Sequence, residues 1–305
     1  MPTYEYTSVR FADHEPVRGD GASTWWVRAQ NFVLAYSTVA AGGSLTAEVD
    51  EFEYMLVLVE GSIAIDSQLG SGQATGDSVV IVPPGRSTVH ARTGATLYRV
   101  FAPPTQDLVA LCANAAAYET PREDVAPFQP WPMPHDGYKL RIYQYDQLPA
   151  GHRNVFRSRN VMISYAGHPG DPPRDPRRFS PHSHADFEQI SLELWGSYTH
   201  HLRYPWEPDS TAWRDDTHFT VRAPGITVMP VNVVHTSQAV DPNGSRLSDV
   251  FAPPRLDFTL AGNCYNNDEY PLPDGSPAPA GGSGQTAHEI YREASTLGRS
   301  PQLPS

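Results

Sequence analysis

The segment Phe179-Ser-Pro-His-Ser-His-Ala-Asp-Phe-Glu-Gln189 places two histidines, His182 and His184, two residues apart. In a β-strand, residues i and i+2 project from one face about 6–7 Å apart along the backbone, so both imidazoles would reach a single cation. A third histidine, His235, ends the segment Pro230-Val-Asn-Val-Val-His235, which is typical of a short turn entering another strand. Three imidazoles with one oxygen ligand suit Fe, Mn, Zn, Ni or Cu rather than Mg or Ca. The sequence therefore predicts a transition-metal site.

Composition excludes several classes of protein. The chain has 305 residues, of which 39% are hydrophobic, enough for one large or two ordinary domains. A formal net charge of −12 argues against nucleic acids and anionic membranes as partners, since the overall field would repel both. Because the chain shows neither a signal-peptide pattern nor a run of ~18 apolar residues, we expect a cytoplasmic protein.

Cysteine and lysine usage narrows the chemistry. Cys112 and Cys264 are too few for a disulfide scaffold and lack zinc-knuckle spacing, so we expect both to be buried thiols. Lys139 is the single lysine of the sequence. A mechanism that needs an amine nucleophile or a Schiff base is therefore disfavoured.

Short β-rich runs separated by turn residues dominate the chain, which contains 30 prolines and 23 glycines. This pattern is typical of an all-β sandwich or barrel. Only two short helices are expected, at Thr105–Ala117 and Thr286–Leu297. The predicted strands include Phe32–Val39, Tyr54–Val59, Val79–Val82, Leu97–Phe101, Val161–Tyr165, Ile190–Trp195 and Ile226–Met229.

An internal repeat relates the two halves of the chain. Val100-Phe-Ala-Pro-Pro104 recurs unchanged as Val250-Phe-Ala-Pro-Pro254, and Glu60-Gly-Ser62 aligns with Trp195-Gly-Ser197. A duplication explains why these matching segments occur in the same order in both halves of the chain. We predict an N-terminal barrel over residues 1–125, a C-terminal barrel over 126–270, and a low-complexity tail with a short helix over 271–305, with a proline-rich connector near the first boundary.

These motifs resemble those of the cupin superfamily, specifically a two-domain bicupin, over about residues 30–104 and 160–254. Cupins carry the motif HxH, three or four residues, Glu, six residues and Gly, followed by a second motif, PxGxxH. The corresponding residues here are His182, His184, Gly196, Pro230, His235 and, at the position of the second motif's glycine, Asn232. The resemblance implies an all-β fold of two tandem jelly-roll barrels with few short helices.

The resemblance also implies that the N-terminal barrel lacks a metal site. Alignment of the halves puts Ala47 and Val49 at the paired-histidine positions and Thr88 at the third. We therefore expect the N-terminal half to have a structural role.

The oxygen ligand has two candidates. Counting forward from His184 selects Glu188, whereas counting back six residues from Gly196 selects Gln189. Strand alternation puts these two side chains on opposite faces. The spacing to the glycine favours Gln189 slightly, and both remain candidates.

Further polar residues would line the barrel. Alternation groups Ser191 and Glu193 with Gln189, and groups His201 with Arg203. An inward His201–Arg203 pair would bind an anion and exchange a proton, whereas an outward pair would be a solvated strand face. The predicted catalytic residues are His201, Glu193 and Tyr198, and the predicted substrate-binding residues are Arg203, Ser191 and Asn232.

Neutral ligands would leave the charge of the ion uncompensated, which favours a small anionic substrate. Three hypotheses follow: an Fe(II)-dependent dioxygenase, which we favour; a non-redox isomerase, lyase or amidohydrolase using Mn, Zn or Ni; and a binding or storage protein without turnover.

The resemblance also implies a homo-oligomer, a dimer or larger. An apolar contact between subunits would use Phe52, Met55, Val57 and Val59 or Ile190, Leu192 and Leu194, although burial between two sheets explains the same residues.

Overall fold

The computed structural model describes residues 5–149, 154–166 and 170–276, and these residues form mostly antiparallel β-strands. The first eleven strands are β1 (Thr7–Arg10), β2 (Val17–Gly19), β3 (Ala22–Arg28), β4 (Val33–Val39), β5 (Ser44–Val49), β6 (Tyr54–Glu60), β7 (Ser62–Ser67), β8 (Gly70–Thr75), β9 (Ser78–Val82), β10 (Gly85–Ala91) and β11 (Ala95–Phe101). The later elements are α1 (Gln106–Val109), β12 (Arg141–Gln144), β13 (Val155–Arg157), β14 (Met162–Ala166), β15 (Gln189–Trp195), β16 (Ser197–Arg203), β17 (Thr217–Arg222), β18 (Gly225–Met229), β19 (Val234–Ala239), β20 (Arg246–Phe251) and α2 (Leu256–Leu260).

The all-β prediction is confirmed, and each predicted strand has a counterpart within one or two residues of its expected bounds. The first expected helix is shorter than predicted. It ends at Val109 because the chain then bonds to the edge of β3: Ala113 N–H donates to Trp26 O at 2.9 Å, and the Asn114 side chain pairs with both backbone groups of Arg28 at 2.8 Å. The second expected helix lies outside the described residues.

Each half of the chain contains a large and a small sheet. In the N-terminal half, a seven-stranded sheet of order β12-β9-β6-β11-β4-β3-β2 faces a four-stranded sheet of order β5-β10-β7-β8. In the C-terminal half, a six-stranded sheet of order β1-β18-β15-β20-β14-β13 faces a three-stranded sheet of order β17-β16-β19. Two facing antiparallel sheets in each half form the jelly-roll arrangement.

The repeat appears in matched hairpins. Gly61 joins β6 to β7 and Gly196 joins β15 to β16, with φ angles of 98° and 70°. A Cβ atom at these glycines would lie 2.2 Å from Gly94 O and 2.3 Å from Gly244 O. Both positions therefore require glycine, because of the backbone conformation and because of the close approach of another chain segment.

Each half lends an edge strand to the other. β1, from the start of the chain, pairs with β18 in the six-stranded sheet, whereas β12 pairs with β9 in the seven-stranded sheet. The predicted boundary near residue 125 is thus crossed in both directions. This exchange ties the two halves together through backbone hydrogen bonds.

The two large sheets pack face to face and form the main hydrophobic core. Met55 and Val57 from one sheet and Ile190 and Leu192 from the other belong to this cluster, and all four side chains are fully buried. These four residues, which belong to the two candidate subunit contacts, therefore pack between the sheets of one chain. Within the described part of the chain, no helix is long and apolar enough to cross a membrane.

Candidate metal centre

Three histidines converge at one end of the C-terminal barrel. Their closest ligand nitrogens all lie within 4.8 Å of one another. His182 and His184 lie in an extended segment before β15, and His235 is the second residue of β19. His182 and His235 exchange both backbone hydrogen bonds, at 3.1 and 2.7 Å. This single bridge, rather than the full strand expected from the sequence, brings the HxH motif to the third histidine.

Backbone contacts orient two of the rings. The Nδ1 atom of His182 lies 2.8 Å from Ser180 O, and that of His235 lies 2.9 Å from Val233 O. A carbonyl only accepts, so each Nδ1 carries the proton and each Nε2 keeps its lone pair. The Nε2 atom of His235 is buried without a hydrogen-bond partner within the described residues. An unpartnered buried lone pair is what a ligand to a cation requires.

Burial keeps these imidazoles neutral. It is the largest influence on all three pKa values, lowering those of His182 and His184 and bringing the pKa of His235 to about 3. The positive charge of Arg255 acts in the same direction on each ring. Neutral imidazole is the form that binds a metal.

The amide oxygen of Gln189 lies beside these histidines. Its Oε1 atom lies 3.0 Å from His184 Nε2, while its Nε2 atom donates to Ser191 Oγ at 2.9 Å and to Asp249 Oδ1 at 2.8 Å. Ser191 Oγ also donates to Asp249 Oδ1, at 2.7 Å. Because Asp249 only accepts when ionised, it holds the amide NH2 away from the histidines and turns the carbonyl oxygen toward them.

This arrangement predicts the effect of Asp249→Asn. An asparagine amide offers both a donor and an acceptor, so the Gln189 amide would no longer have a fixed orientation. We expect metal affinity to fall by about 10–100-fold, as for other residues that orient a ligand. Competition with a chromophoric chelator measures this change, with Ser87→Ala, a buried substitution in the N-terminal barrel, as the control. Equal affinities for Asp249→Asn and the wild type would contradict the orienting role.

Glu188, the other candidate oxygen ligand, lies on the opposite face of the chain. Its Oε1 atom is 2.7 Å from Arg122 Nη1 and accepts a hydrogen bond from Tyr118 Oη at 3.0 Å. Its Oε2 atom accepts from the backbone N–H of Gln30 at 2.7 Å. Glu188 therefore binds the N-terminal half and the connector, and of the two neighbours it is Gln189 that faces the histidines.

The corresponding positions of the N-terminal barrel are occupied by different types of residue. Ser87 pairs with Ala47 in the register that joins His235 to His182. Tyr54, at the position of Gln189, has its Oη atom 3.0 Å from Ser87 Oγ. Strand register thus places Ser87, rather than the expected Thr88, at the third position. None of these residues is a common transition-metal ligand.

The interiors of the two barrels differ in polarity. The N-terminal interior holds a large apolar cluster that includes Leu56, Leu58 and Ile65. At the repeat-related positions, 135 residues later, the C-terminal interior has Ser191, Glu193 and His200. All three polar side chains are fully buried.

Glu193 and His200 form a buried pair inside the C-terminal barrel. Glu193 Oε1 lies 2.7 Å from His200 Nε2, and His200 Nδ1 lies 2.9 Å from Ser237 Oγ. Burial raises the pKa of Glu193, and its Oε2 atom has no hydrogen-bond partner within the described residues. Tyr198, on the same strand face as His200, is also buried, and burial raises its pKa. The pair is suited to exchanging a proton with a ligand in the barrel.

Of the two orientations open for His201 and Arg203, the structure shows the outward one, so neither side chain lies inside the barrel as a catalytic or substrate-binding residue would. His201 lies on the outer face of β16, with its Nδ1 atom 2.8 Å from that of His218, and the exposed Arg203 is bound to Asp216. The pair faces outward because alternation turns the adjacent buried residues, His200 and Leu202, inward.

Asn232 has a backbone role in this structure. Its side chain is exposed, its φ angle is 63°, and its N–H donates to His184 O at 2.7 Å. Asparagine tolerates this left-handed conformation better than most residues, which explains how it replaces the motif's glycine.

Two polar residues of this region escaped the sequence prediction. Alternation along β16 puts His200 on the same face as the apolar Leu202, and the packing of the barrel is what turns that face inward. Asp249 lies in the second copy of the repeat, at the position where the first copy has Arg99. This reversal of charge between matched positions is the sequence feature that would have pointed to Asp249.

The donor set fits a divalent transition metal: three neutral imidazoles, one of them with a buried unpartnered nitrogen, and an amide oxygen held toward them. His182, His184, His235 and Gln189 would hold the ion. The number and type of these donors are those that a divalent transition metal prefers.

No protein-family model matches the chain, and a search of curated proteins finds no match. Solved structures are similar in fold. An oxalate decarboxylase from Lactobacillus farciminis, in a formate complex, has a TM-score of 0.56 and 13% identity, covering 86% of this chain and 92% of its own. Protein Ylba from E. coli has a TM-score of 0.55 and 12% identity, with coverages of 82% and 91%. A putative glyoxylate-induced protein from Pseudomonas aeruginosa has a TM-score of 0.54 and 14% identity, with coverages of 84% and 91%.

These likenesses extend over most of both chains in each comparison, at identities that establish the fold alone. Together with the paired antiparallel sheets, they show that this chain has an all-β jelly-roll fold of the cupin type.

Proposed function

We propose that this protein is a metal-dependent enzyme that acts on a small anionic substrate in its C-terminal barrel. The buried, unpartnered Nε2 atom of His235, grouped with His182 and His184, is the observation that carries the proposal. A divalent ion at this position would act as a Lewis acid. Since all four donors are neutral, an anionic substrate would be attracted to the uncompensated charge.

The chain's own residues define the space beside the histidines. Thr227 Oγ1 and Glu193 Oε2 are buried without partners within the described residues, and both lie on the strand face that carries Gln189. Buried polar atoms without partners indicate a place for water or a polar ligand. We expect these groups to hydrogen-bond the substrate while the surrounding barrel limits access of bulk water.

The first candidate reaction is an Fe(II)-dependent dioxygenation. The neutral donor set, with unpartnered buried polar atoms on the adjoining sheet face, supports this choice. Iron, when bound, would supply the redox chemistry. Gln189 and the three histidines would hold the ion, and the interior polar residues would orient the substrate.

The second candidate is a non-redox isomerase, lyase or hydrolase that uses Mn, Zn or Ni. The buried Glu193–His200 pair supports it, because such reactions need a group that moves a proton. The structural neighbours include an oxalate decarboxylase and a putative glyoxylate-induced protein. Small carboxylates such as oxalate and glyoxylate are therefore suitable first substrates for a test.

Oxygen dependence separates these candidates. The metal-free protein would be loaded with Fe(II) or with Zn(II), and substrate loss measured with a panel of small carboxylates and hydroxy-keto acids, with and without oxygen. Oxygen uptake with Fe(II) alone, abolished by His182→Ala, is the expected result. Anaerobic turnover with Zn(II) that Glu193→Gln removes would instead support the second candidate. If the ion is retained but no substrate is consumed under either condition, the enzyme proposal is wrong and a binding role is favoured.

A further inference from the structure

A second pair of histidines lies on the outer face of the C-terminal barrel. His201 of β16 and His218 of β17 are directly opposite each other in antiparallel register. Their Nδ1 atoms are 2.8 Å apart, and their ring centroids are 4.9 Å apart. His218 is exposed and His201 is partly exposed, so solvent reaches this pair from outside the barrel.

The neighbouring cross-strand pairs hold the two histidines in place. On one side, the Oγ1 atoms of Thr199 and Thr220 are 2.8 Å apart. On the other side, Arg203 donates two hydrogen bonds to Asp216, at 2.9 and 2.6 Å. These contacts lie on the same face of the β16–β17 pair and fix its register, which reduces the conformational entropy lost when the imidazoles bind a common ligand.

The spacing of the two nitrogens suits a metal ion. Two ligands about 2.0 Å from an ion and at a right angle to each other would be about 2.8 Å apart, which is the arrangement that square-planar Cu(II) and Ni(II) favour. We propose that His201 and His218 form an external site for a divalent transition metal, Cu(II) or Ni(II). The ion would take the place of the proton shared between the two Nδ1 atoms. That proton would move to the Nε2 atom of the same ring, so that both imidazoles bind through Nδ1 as neutral tautomers, and water would fill the remaining positions.

This site is separate from the barrel centre. His200, the neighbour of His201, points inward to Glu193, so the two histidines lie on opposite faces of β16. Metal at the outer site would connect β16 to β17 without using any residue of the inner site. Binding would therefore stabilise this pair of strands whatever the barrel centre contains.

Copper titration of the chelator-treated full chain tests the proposal, with electron paramagnetic resonance to count bound Cu(II). The variants are His218→Asn at the outer site and His235→Ala at the inner one, with His90→Ala, an exposed histidine of the N-terminal barrel, as a matched control that keeps both outer imidazoles. We expect His218→Asn to bind one copper fewer than the wild type, or to bind it at least tenfold more weakly. His235→Ala and His90→Ala should both keep the outer copper.

The outcomes separate this site from the proposed enzyme function. If His218→Asn keeps the copper stoichiometry and affinity of the wild type, the external site is wrong. Absence of bound copper from His235→Ala would overturn it as well. If copper does not enter the barrel, the wild type would bind one copper ion and His218→Asn would bind none. This result would support the external site.

Discussion

Substitution of His235 by alanine is expected to remove the metal from the C-terminal barrel. The ring supplies one of three imidazoles, and its Nε2 atom is buried with no other partner in the described structure. Since loss of a residue that merely orients a ligand costs 10–100-fold in affinity, loss of the ligand itself should cost at least about 100-fold. Metal analysis of the purified variant, followed by chelator competition, measures the effect.

The control for this experiment is His90→Ala. His90 is an exposed histidine of the N-terminal barrel, 3.8 Å from Asp66, and it lies in a different half from the three converging imidazoles. This variant should retain the metal content and affinity of the wild type. Equal metal binding by His235→Ala and the wild type would exclude His235 as a ligand.

Substitution of Arg122 by methionine should destabilise the protein by about 3–5 kcal/mol. Arg122 and Glu188 form a 2.7 Å ion pair whose side chains are only 3% and 1% exposed. Removing the arginine leaves a buried carboxylate without its main charge partner, which is the costly way to break such a pair. Urea unfolding of the metal-free protein gives the free energy of unfolding.

A double substitution separates the cost of an unpaired charge from loss of packing. Arg122→Met combined with Glu188→Met removes both charges, so much of the stability should return. If the single Arg122 variant loses less than about 1 kcal/mol, the buried pair does not connect the two halves as inferred. If the single and double variants lose the same free energy of unfolding, the destabilisation comes from lost packing rather than from an unpaired charge.

Part of the site was predictable because its residues are close in sequence. His182 and His184 are two residues apart, and the second motif gives the position of His235 relative to a turn. Spacing alone left Glu188 and Gln189 as alternatives, since a shift of one residue turns a side chain to the opposite face. The choice depends on partners distant in sequence: Arg122 and Tyr118 hold Glu188, while Asp249 holds Gln189.

The all-β class, the repeat and the three histidines can be read from the order of the amino acids, because alternation, turn residues and motif spacing are local properties of a chain. The folded arrangement is needed to see that His200 faces inward and His201 outward, that Glu188 binds the N-terminal half, and that β1 and β12 exchange between sheets. These features depend on which distant side chains fill the same space. Local pattern leaves that open because both faces of a strand such as β16 carry polar residues, and packing against the rest of the molecule then selects the inner face.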